Sequence, residues 1–346
     1  MRQPDRIDDP DRRRWQEPGI YDVAPGIVRI PLPIPDEGLK TVNVYLVEGD
    51  DGLTLIDAGW AFQPARTALD DALAELSYSV RDIRTILVTH VHADHYSQGV
   101  TLRRDSGCTL ALGEYERPSL EVMRAGRGSD GLLTSLRRHA AEPVIEALRA
   151  AGFGRESDDD DLWELPDEWV ADGRLFEVGK ARLRAMHTPG HTRGHVVYVD
   201  ADQEVIFSGD HVLPHITPSI GLESSGAEHP LESYLSSLRA VRALPDMLML
   251  PAHGPVRTSV HARIDELLAH HEARLDACAA CLDARPRTAY EVARDLPWTR
   301  RAQRFDDLAP HHQMLAVVET AAHLDVVHRR GRCARVDVAG VVRYHV

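Results

Sequence analysis

The sequence predicts an α/β fold, and three observations carry that prediction. TVNVYLVEGDDGLTLIDAG, residues 41 to 59, reads as a strand hairpin with its turn at Gly49 to Gly52. PARTALDDALAELSY, residues 64 to 78, carries its apolar residues at helical spacing. DIRTILVTH, residues 82 to 90, is a nearly continuous apolar run suited to a strand covered on both faces. Strand, helix, strand is the order of an α/β layer fold.

The remaining elements follow in chain order. Residues 1 to 19, MRQPDRIDDPDRRRWQEPG, form a charged, Pro-containing segment without the apolar centre of a secretory signal. GIVRIPLPI, near residues 26 to 34, is the first readable strand. After DIRTILVTH come a helix through about Asp105 and a short strand, CTLALG. From Tyr115 to about Gly152 the pattern is helical, and the acidic run Asp158 to Asp161 reads as a solvated loop. Residues 115 to 170 are therefore expected as an insertion over one end of the sheet. Strands resume with RLRAMHT, HVVYVD, EVIFSGD and DMLMLPAHG, which completes a domain over residues 20 to 262.

Beyond Val256 the pattern becomes a long helix to about Leu282. Two more helices follow, in TAYEVARDL and HHQMLAVVETAAHLDVVHRRG, and then two β-rich runs around Ala339 and Gly340. Helix, helix, helix, hairpin is the order of a winged-helix module, expected over residues 263 to 346. Residues 285 to 346 hold 11 arginines against 7 acids, a local excess of +4 in a chain of net charge -14. The overall charge opposes duplex DNA or an anionic membrane as the main partner. A nucleic-acid role for the basic module stays open, although MLAVVETAAHL reads more simply as a packing helix that closes the cleft or a subunit contact. His311 and His312 begin that helix and read as solvated surface.

No stretch approaches the roughly 20 apolar residues of a membrane helix, and the expected location is the cytoplasm. The four cysteines are too scattered for a disulfide framework, so reduced thiols are expected. Cys278 and Cys281 form a CxxC inside a helical pattern and read as plain helix residues.

The chemistry is concentrated in THVHADH. Extended backbone after a strand puts His90 and His92 on one side, within reach of one cation, and the turn into a helix points Asp94 and His95 elsewhere, toward a second. Left unpaired, such groups would be costly to bury. Further candidates stand at later strand ends: His191 in HTPGHTRGH with His187 before it, Asp210 in FSGDH, and His253 in LPAHG. Imidazole plus carboxylate is the ligand chemistry of zinc, manganese and iron.

These residues resemble the metallo-β-lactamase superfamily. The HxHxDH pattern stands as His90, His92, Asp94 and His95, the later ligands fall in order at His191, Asp210 and His253, and the LIDAG element with Asp57 precedes them. The resemblance spans roughly residues 20 to 262 and implies an αβ/βα four-layer sandwich with two metals, zinc foremost and iron or manganese also served. It implies one ion at His90, His92 and His191, another at Asp94, His95 and His253, and Asp210 bridging both. It further implies a hydroxide between the ions as nucleophile, oriented by Asp94, the residue given a catalytic role.

Asp57 is expected to brace a ligand loop, and His187 to be structural or to support a ligand. His211 and His215 are candidates to line the substrate pocket, the plainer reading being partly exposed loop residues. The expected activity is hydrolysis of a small-molecule ester, thioester or lactone, by a chain that forms a homo-oligomer in one reading. Beside it stand a phosphodiesterase or ribonuclease that holds RNA on the C-terminal module, a non-catalytic ligand-sensing or DNA-binding protein, and an iron-dependent redox relative. No side chain is identifiable as general acid.

Overall fold

A computed structural model describes residues 2–35, 38–153, 160–223, 228–299 and 301–346. The chain opens with β1 (Gln3–Pro4), β2 (Tyr21–Ala24), β3 (Ile27–Pro33), β4 (Thr41–Gly49) and β5 (Gly52–Ile56). Then come α1 (Gln63–Glu75), β6 (Ile83–Val88), α2 (Ala93–Ser106), β7 (Thr109–Gly113), α3 (Arg117–Arg124), α4 (Asp130–Arg138) and α5 (Glu142–Ala150). β8 (Glu168–Val170), β9 (Leu175–Val178), β10 (Ala181–His187), β11 (Val196–Asp200), β12 (Val205–Gly209), α6 (Pro230–Arg242) and β13 (Leu248–Pro251) follow. The chain ends in α7 (Val260–Ala280), α8 (Ala289–Asp295), α9 (Pro310–Arg329), β14 (Ala334–Val338) and β15 (Val341–His345).

Among the described residues, β1 to β8 form one sheet in sequence order, and a second sheet runs β13-β12-β11-β10-β9. Side-chain alternation sets the layers. On β4, Val44 and Leu46 turn outward and pack with Ala65, Leu69 and Leu73 of α1 and Val100 of α2. Tyr45 and Val47 turn the other way, onto Leu183, Tyr198 and Phe207 of the second sheet. The outer face of that sheet, Val197, Val199, Ile206 and Met249, is covered by α6 and α7 through Leu235, Leu238, Ile264 and Leu267. The order helix, sheet, sheet, helix is the expected αβ/βα sandwich.

The insertion and the C-terminal helices pack together. Leu132 and Leu136 of α4 and Val144, Ile145 and Leu148 of α5 share one apolar cluster with Ala293 of α8, Phe305, and Met314 and Val317 of α9. Residues 154–159 lie outside the described residues, so of the acidic run only Asp160 and Asp161 are seen, in a short 3-10 turn. The expected insertion ends inside the sheet, because β8 pairs parallel to β7.

The boundary expected at 262/263 falls inside α7, whose Ile264 and Leu275 share a cluster with Leu324 and Val327 of α9 and with the second sheet. The order α7, α8, α9, then the β14–β15 hairpin, is the expected one. α9 is a packing helix: Met314, Val317, Thr320, His323, Leu324 and Val327 are buried, against α5, α6, α7 and α8. That burial leaves it little free face for a nucleic-acid groove. His311 and His312 at its start are exposed.

The charged N-terminal segment is packed rather than loose: β1 pairs with β2, Trp15 is buried, and Asp5 makes a buried ion pair with Arg29. Cys278 is buried in α7 and Cys281 caps it. The four thiols are free, and burial pushes that of Cys278 up to about 12. No helix among the described residues is long and apolar enough to cross a membrane.

Candidate active site

The ligand candidates sit where strands of both sheets end on one edge of the sandwich. β6 ends at Val88 and leads into His90 and His92, the latter capping α2. Asp94, in the first turn of α2, lies where the positive end of the helix dipole favours a carboxylate. The turn after β10 carries His191, β12 leads directly into Asp210, and β13 leads into His253. Gly209 makes the Asp210 turn possible, since its φ is +49° and a Cβ there would lie 2.7 Å from His195 Nε2 and 2.8 Å from Thr89.

Three nitrogens converge at one point. His90 Nε2 and His92 Nδ1 are 2.9 Å apart, and His191 Nε2 is 3.1 Å from the same His92 nitrogen. A tetrahedral ion with bonds of about 2.0–2.1 Å spaces its ligands about 3.3 Å apart, close to this triangle. Asp94, His95 and His253 form another such group, and Asp210 joins His90 and His95 in a third.

Asp210 stands between the two sides. Its Oδ2 is 3.6 Å from His191 Nε2, and its Oδ1 is 3.8 Å from His95 Nε2 and 3.6 Å from His253 Nε2. Asp94 Oδ2 is 3.2 Å from His253 Nε2 and 3.6 Å from His95 Nε2.

The other ends of the imidazoles are fixed. His95 Nδ1–H donates to Asp57 Oδ2 at 2.8 Å, His253 Nδ1–H to the Thr41 carbonyl at 2.9 Å, and His191 Nδ1–H to the Ser219 carbonyl at 2.8 Å. His90 Nδ1 lies 3.1 Å from Thr89 Oγ1, which bonds to Asp57 in turn. Each ring is thereby set to present its other nitrogen to the centre, the arrangement metal-ligating histidines require. Among the described residues, His95 Nε2 and Asp210 Oδ1 are buried with no hydrogen-bond partner, and Asp94 is the one neighbour that His253 Nε2 faces at hydrogen-bond range. Orphaned buried atoms of this kind carry a desolvation cost that a cation would offset, so the donor set fits a metal.

Charge follows the same division. Burial pushes His92 down to about 3 and His191 to about 4, and also lowers His90, so that side is neutral and ready to ligate. Burial alone would lower His95, but Asp94, Asp57 and Asp210 outweigh it and hold it up at about 10. His253 is raised against its burial by Asp210 and Asp94. Asp94 is pulled well below the usual carboxylate range, its burial outweighed by His95 and His253. On this side a proton stands in for a cation, which makes binding of a metal proton-coupled.

The other predicted residues fall outside the ligand groups. Asp57 holds φ at +60°, a left-handed conformation costly for most side chains, and is locked there by Thr89 and His95. His187 ends β10, stacks on Tyr115 at 4.4 Å and bonds through Nε2 to the Arg193 carbonyl, so it braces the turn that carries His191. His211 is fully buried rather than partly exposed, its ring 5.3 Å from Tyr234 and 6.0 Å from His195. His215 is half-buried, near Arg12, Arg257 and Arg263.

Several residues of the site are not singled out by the sequence. His195, the last histidine of HTPGHTRGH, is fully buried and accepts the Asp210 backbone N–H through Nε2 at 3.2 Å. Its Nδ1 lies 3.0 Å from Thr188 Oγ1. Glu116 is buried, accepts from the Thr192 hydroxyl and from the Val91 N–H, and is pushed up to about 8 by burial. Repetition of histidine in one motif is the available signal for the first; the second carries none.

The sequence matches the metallo-beta-lactamase superfamily over residues 38–253, and the chain belongs to that superfamily. It is a hydrolase. The probable metallo-hydrolase YqjP of Bacillus subtilis (strain 168) is 28% identical over 313 residues, 87% of this chain and 91% of that protein. The atrochrysone carboxyl ACP thioesterase AgnL7 of Paecilomyces divaricatus is 24% identical over 269 residues, 77% of this chain and 67% of that one. A beta-lactamase domain protein from Burkholderia ambifaria superposes with a TM-score of 0.80 at 25% identity, over 95% of each chain. A metallo-beta-lactamase family protein from Thermus thermophilus superposes with a TM-score of 0.73 at 30% identity, over 93% of this chain and 98% of that one.

Proposed function

We propose that the chain hydrolyses a small-molecule thioester, with esters and lactones as neighbouring chemistry, at a centre of two divalent ions, zinc foremost. The observation that carries this reading is Asp210, whose two oxygens face His191 on one side and His95 and His253 on the other. Ions bound there supply Lewis acidity, lowering the pKa of water from about 15.7 toward 7 and polarising the acyl carbonyl.

The chain's own residues do the rest. His90, His92 and His191 would hold one ion and Asp94, His95 and His253 the other, with Asp210 between the two groups. Asp94 keeps 15% of its side chain exposed, the most open of the carboxylates, and so orients the attacking water from the solvent side. The buried faces of His90 and His95 exclude bulk water behind it. The seven candidate ligands and Asp57 are committed to the centre, and none of these eight is free to serve as proton donor to a leaving group. A thiol, of pKa about 8.5, departs as thiolate without one. The thioesterase name of a relative agrees with that choice.

The test is hydrolysis of a panel of acyl thioesters, lactones and phosphodiesters by zinc-loaded protein, chelated protein and Asp210→Ala. Thioester turnover by the loaded protein, reduced about 100-fold or more in the other two, is expected. Equal turnover by all three overturns the reading.

A further inference from the structure

A continuous line of buried polar contacts runs from the N-terminal segment to the edge of the metal centre. Asp5, just after β1, grips the guanidinium of Arg29 on β3 with both carboxylate oxygens, Nη2 donating to Oδ1 at 3.0 Å and Nε to Oδ2. The two side chains are 4% and 1% exposed. The third donor arm, Nη1, is shared between the Trp15 carbonyl at 2.9 Å and Asn43 Oδ1 at 3.0 Å.

That last bond fixes which way the Asn43 amide faces. With Oδ1 on the guanidinium, Nδ2 must point away from it, and it donates to the carbonyls of Pro251 and Gly254, each at 2.9 Å. The Asn43 backbone N–H meets the Ala252 carbonyl at 2.7 Å. These three carbonyls flank His253. A second grip comes from Asp8, which accepts from the Thr258 hydroxyl at 2.6 Å, pairs with Arg257 at 3.1 Å, and donates its own N–H to the Val256 carbonyl at 2.9 Å.

We infer that the N-terminal segment is a positioning device for His253: the Asp5–Arg29 pair, acting through Asn43, sets the loop that aims His253 Nε2 at the ion shared with Asp94 and His95. The inference rests on the two-ion reading above. It gives residues 2 to 16 a role that their charge and lack of periodicity do not disclose. An arginine buried this deeply is held only by a complete set of acceptors, and here each acceptor belongs to the segment or to the residue that holds the ligand loop. Removing the segment's carboxylate would force the guanidinium to seek another partner, and the Asn43 amide would lose the contact that orients it.

Two variants test this by zinc binding, measured in competition with a chromophoric chelator, with thermal melts run beside it. Asp5→Leu combined with Arg29→Met removes the pair without stranding a charge. Asn43→Asp keeps an acceptor for Arg29 and replaces the donor to Pro251 and Gly254 with an oxygen that repels both carbonyls. Wild type is expected to bind two zinc ions. Each variant is expected to bind the first with unchanged affinity and the second about 10- to 100-fold more weakly. Two ions at wild-type affinity in a folded Asn43→Asp or double variant overturn the inference and leave the two-ion reading standing. Weakening of both ions together also overturns it, since that is the mark of general loosening. Fewer than two ions in wild type overturn the reading and the inference with it.

Discussion

Asp57 Oδ2 lies 2.8 Å from His95 Nδ1, and the same carboxylate accepts the backbone N–H of Thr89 at 2.8 Å and its hydroxyl at 3.0 Å. Thr89 in turn touches His90 Nδ1. One carboxylate thus braces a candidate ligand on each side of the centre, directly for His95 and through a hydroxyl for His90.

Asp57→Asn should weaken zinc binding about 10- to 100-fold while leaving the fold intact. Asparagine tolerates the left-handed backbone that Asp57 adopts, so the change removes charge and acceptor geometry without adding backbone strain. Chelator competition and a melting curve check the two halves.

His195 and His187 stand in one motif but in different surroundings, and their substitutions should separate. His195→Ala removes the acceptor of the Asp210 N–H and opens a void against Gly209. It should lower zinc affinity and turnover by about 10-fold or more. His187→Ala, which loses a stack on half-exposed Tyr115 and a bond to a carbonyl, should change zinc affinity less than about 3-fold, roughly 0.6 kcal/mol. Parallel zinc titrations decide between them.

The insertion and the C-terminal helices share one cluster, so they should unfold as one. Leu136→Ala, at a fully buried position on α4, should cost about 2–5 kcal/mol. It should also speed hydrogen exchange at amides of α9 around Val317, which packs in the same cluster. Exchange confined to α4 and α5 would show that the two parts are independent.

α7 and α9 meet through a buried histidine pair, His271 Nδ1 and His323 Nε2 being 3.1 Å apart. Burial pushes His323 down to about 4 and holds His271 well below its ordinary value. Both are neutral in the fold, while the unfolded chain takes up protons below about 6.5. The stability they permit is therefore present above about pH 6.5 and lost as pH falls toward about 4. Between about pH 7 and 5, His323 alone should account for about 2 kcal/mol of lost stability. His271→Leu with His323→Leu should flatten that limb, as measured by urea midpoints at both pH values on metal-free protein.

Much of this molecule can be read from its sequence because the informative patterns are local. The candidate ligands are histidine and aspartate at strand ends, and the strands that lead to them are apolar runs that only a covered sheet explains, as DIRTILVTH is for β6. What escapes reading depends on partners distant in sequence. β8 and β9 are short, with mostly half-exposed residues, and gain their identity from pairing with β7 and β10. His195, Glu116 and the Asp5–Arg29 pair matter because of what lies against them, which no window of sequence contains. α6 is a different case: Leu231, Leu235, Leu238 and Val241 recur at helical spacing, yet the stretch lies between two ligand motifs and is absent from the expected elements. The position expected as a boundary, 262/263, lies inside α7 for a physical reason. α7 buries residues from its first turn, and its apolar face belongs to the second sheet.

The central claim is a pair of ions shared by Asp210. Metal content by elemental analysis of protein equilibrated with excess zinc and then desalted tests it most directly, with Asp210→Ala alongside. Two ions per wild-type chain, falling to one or none in the variant, is the expected result. A wild-type chain that retains no zinc, or a variant that retains both ions with undiminished affinity, would contradict it.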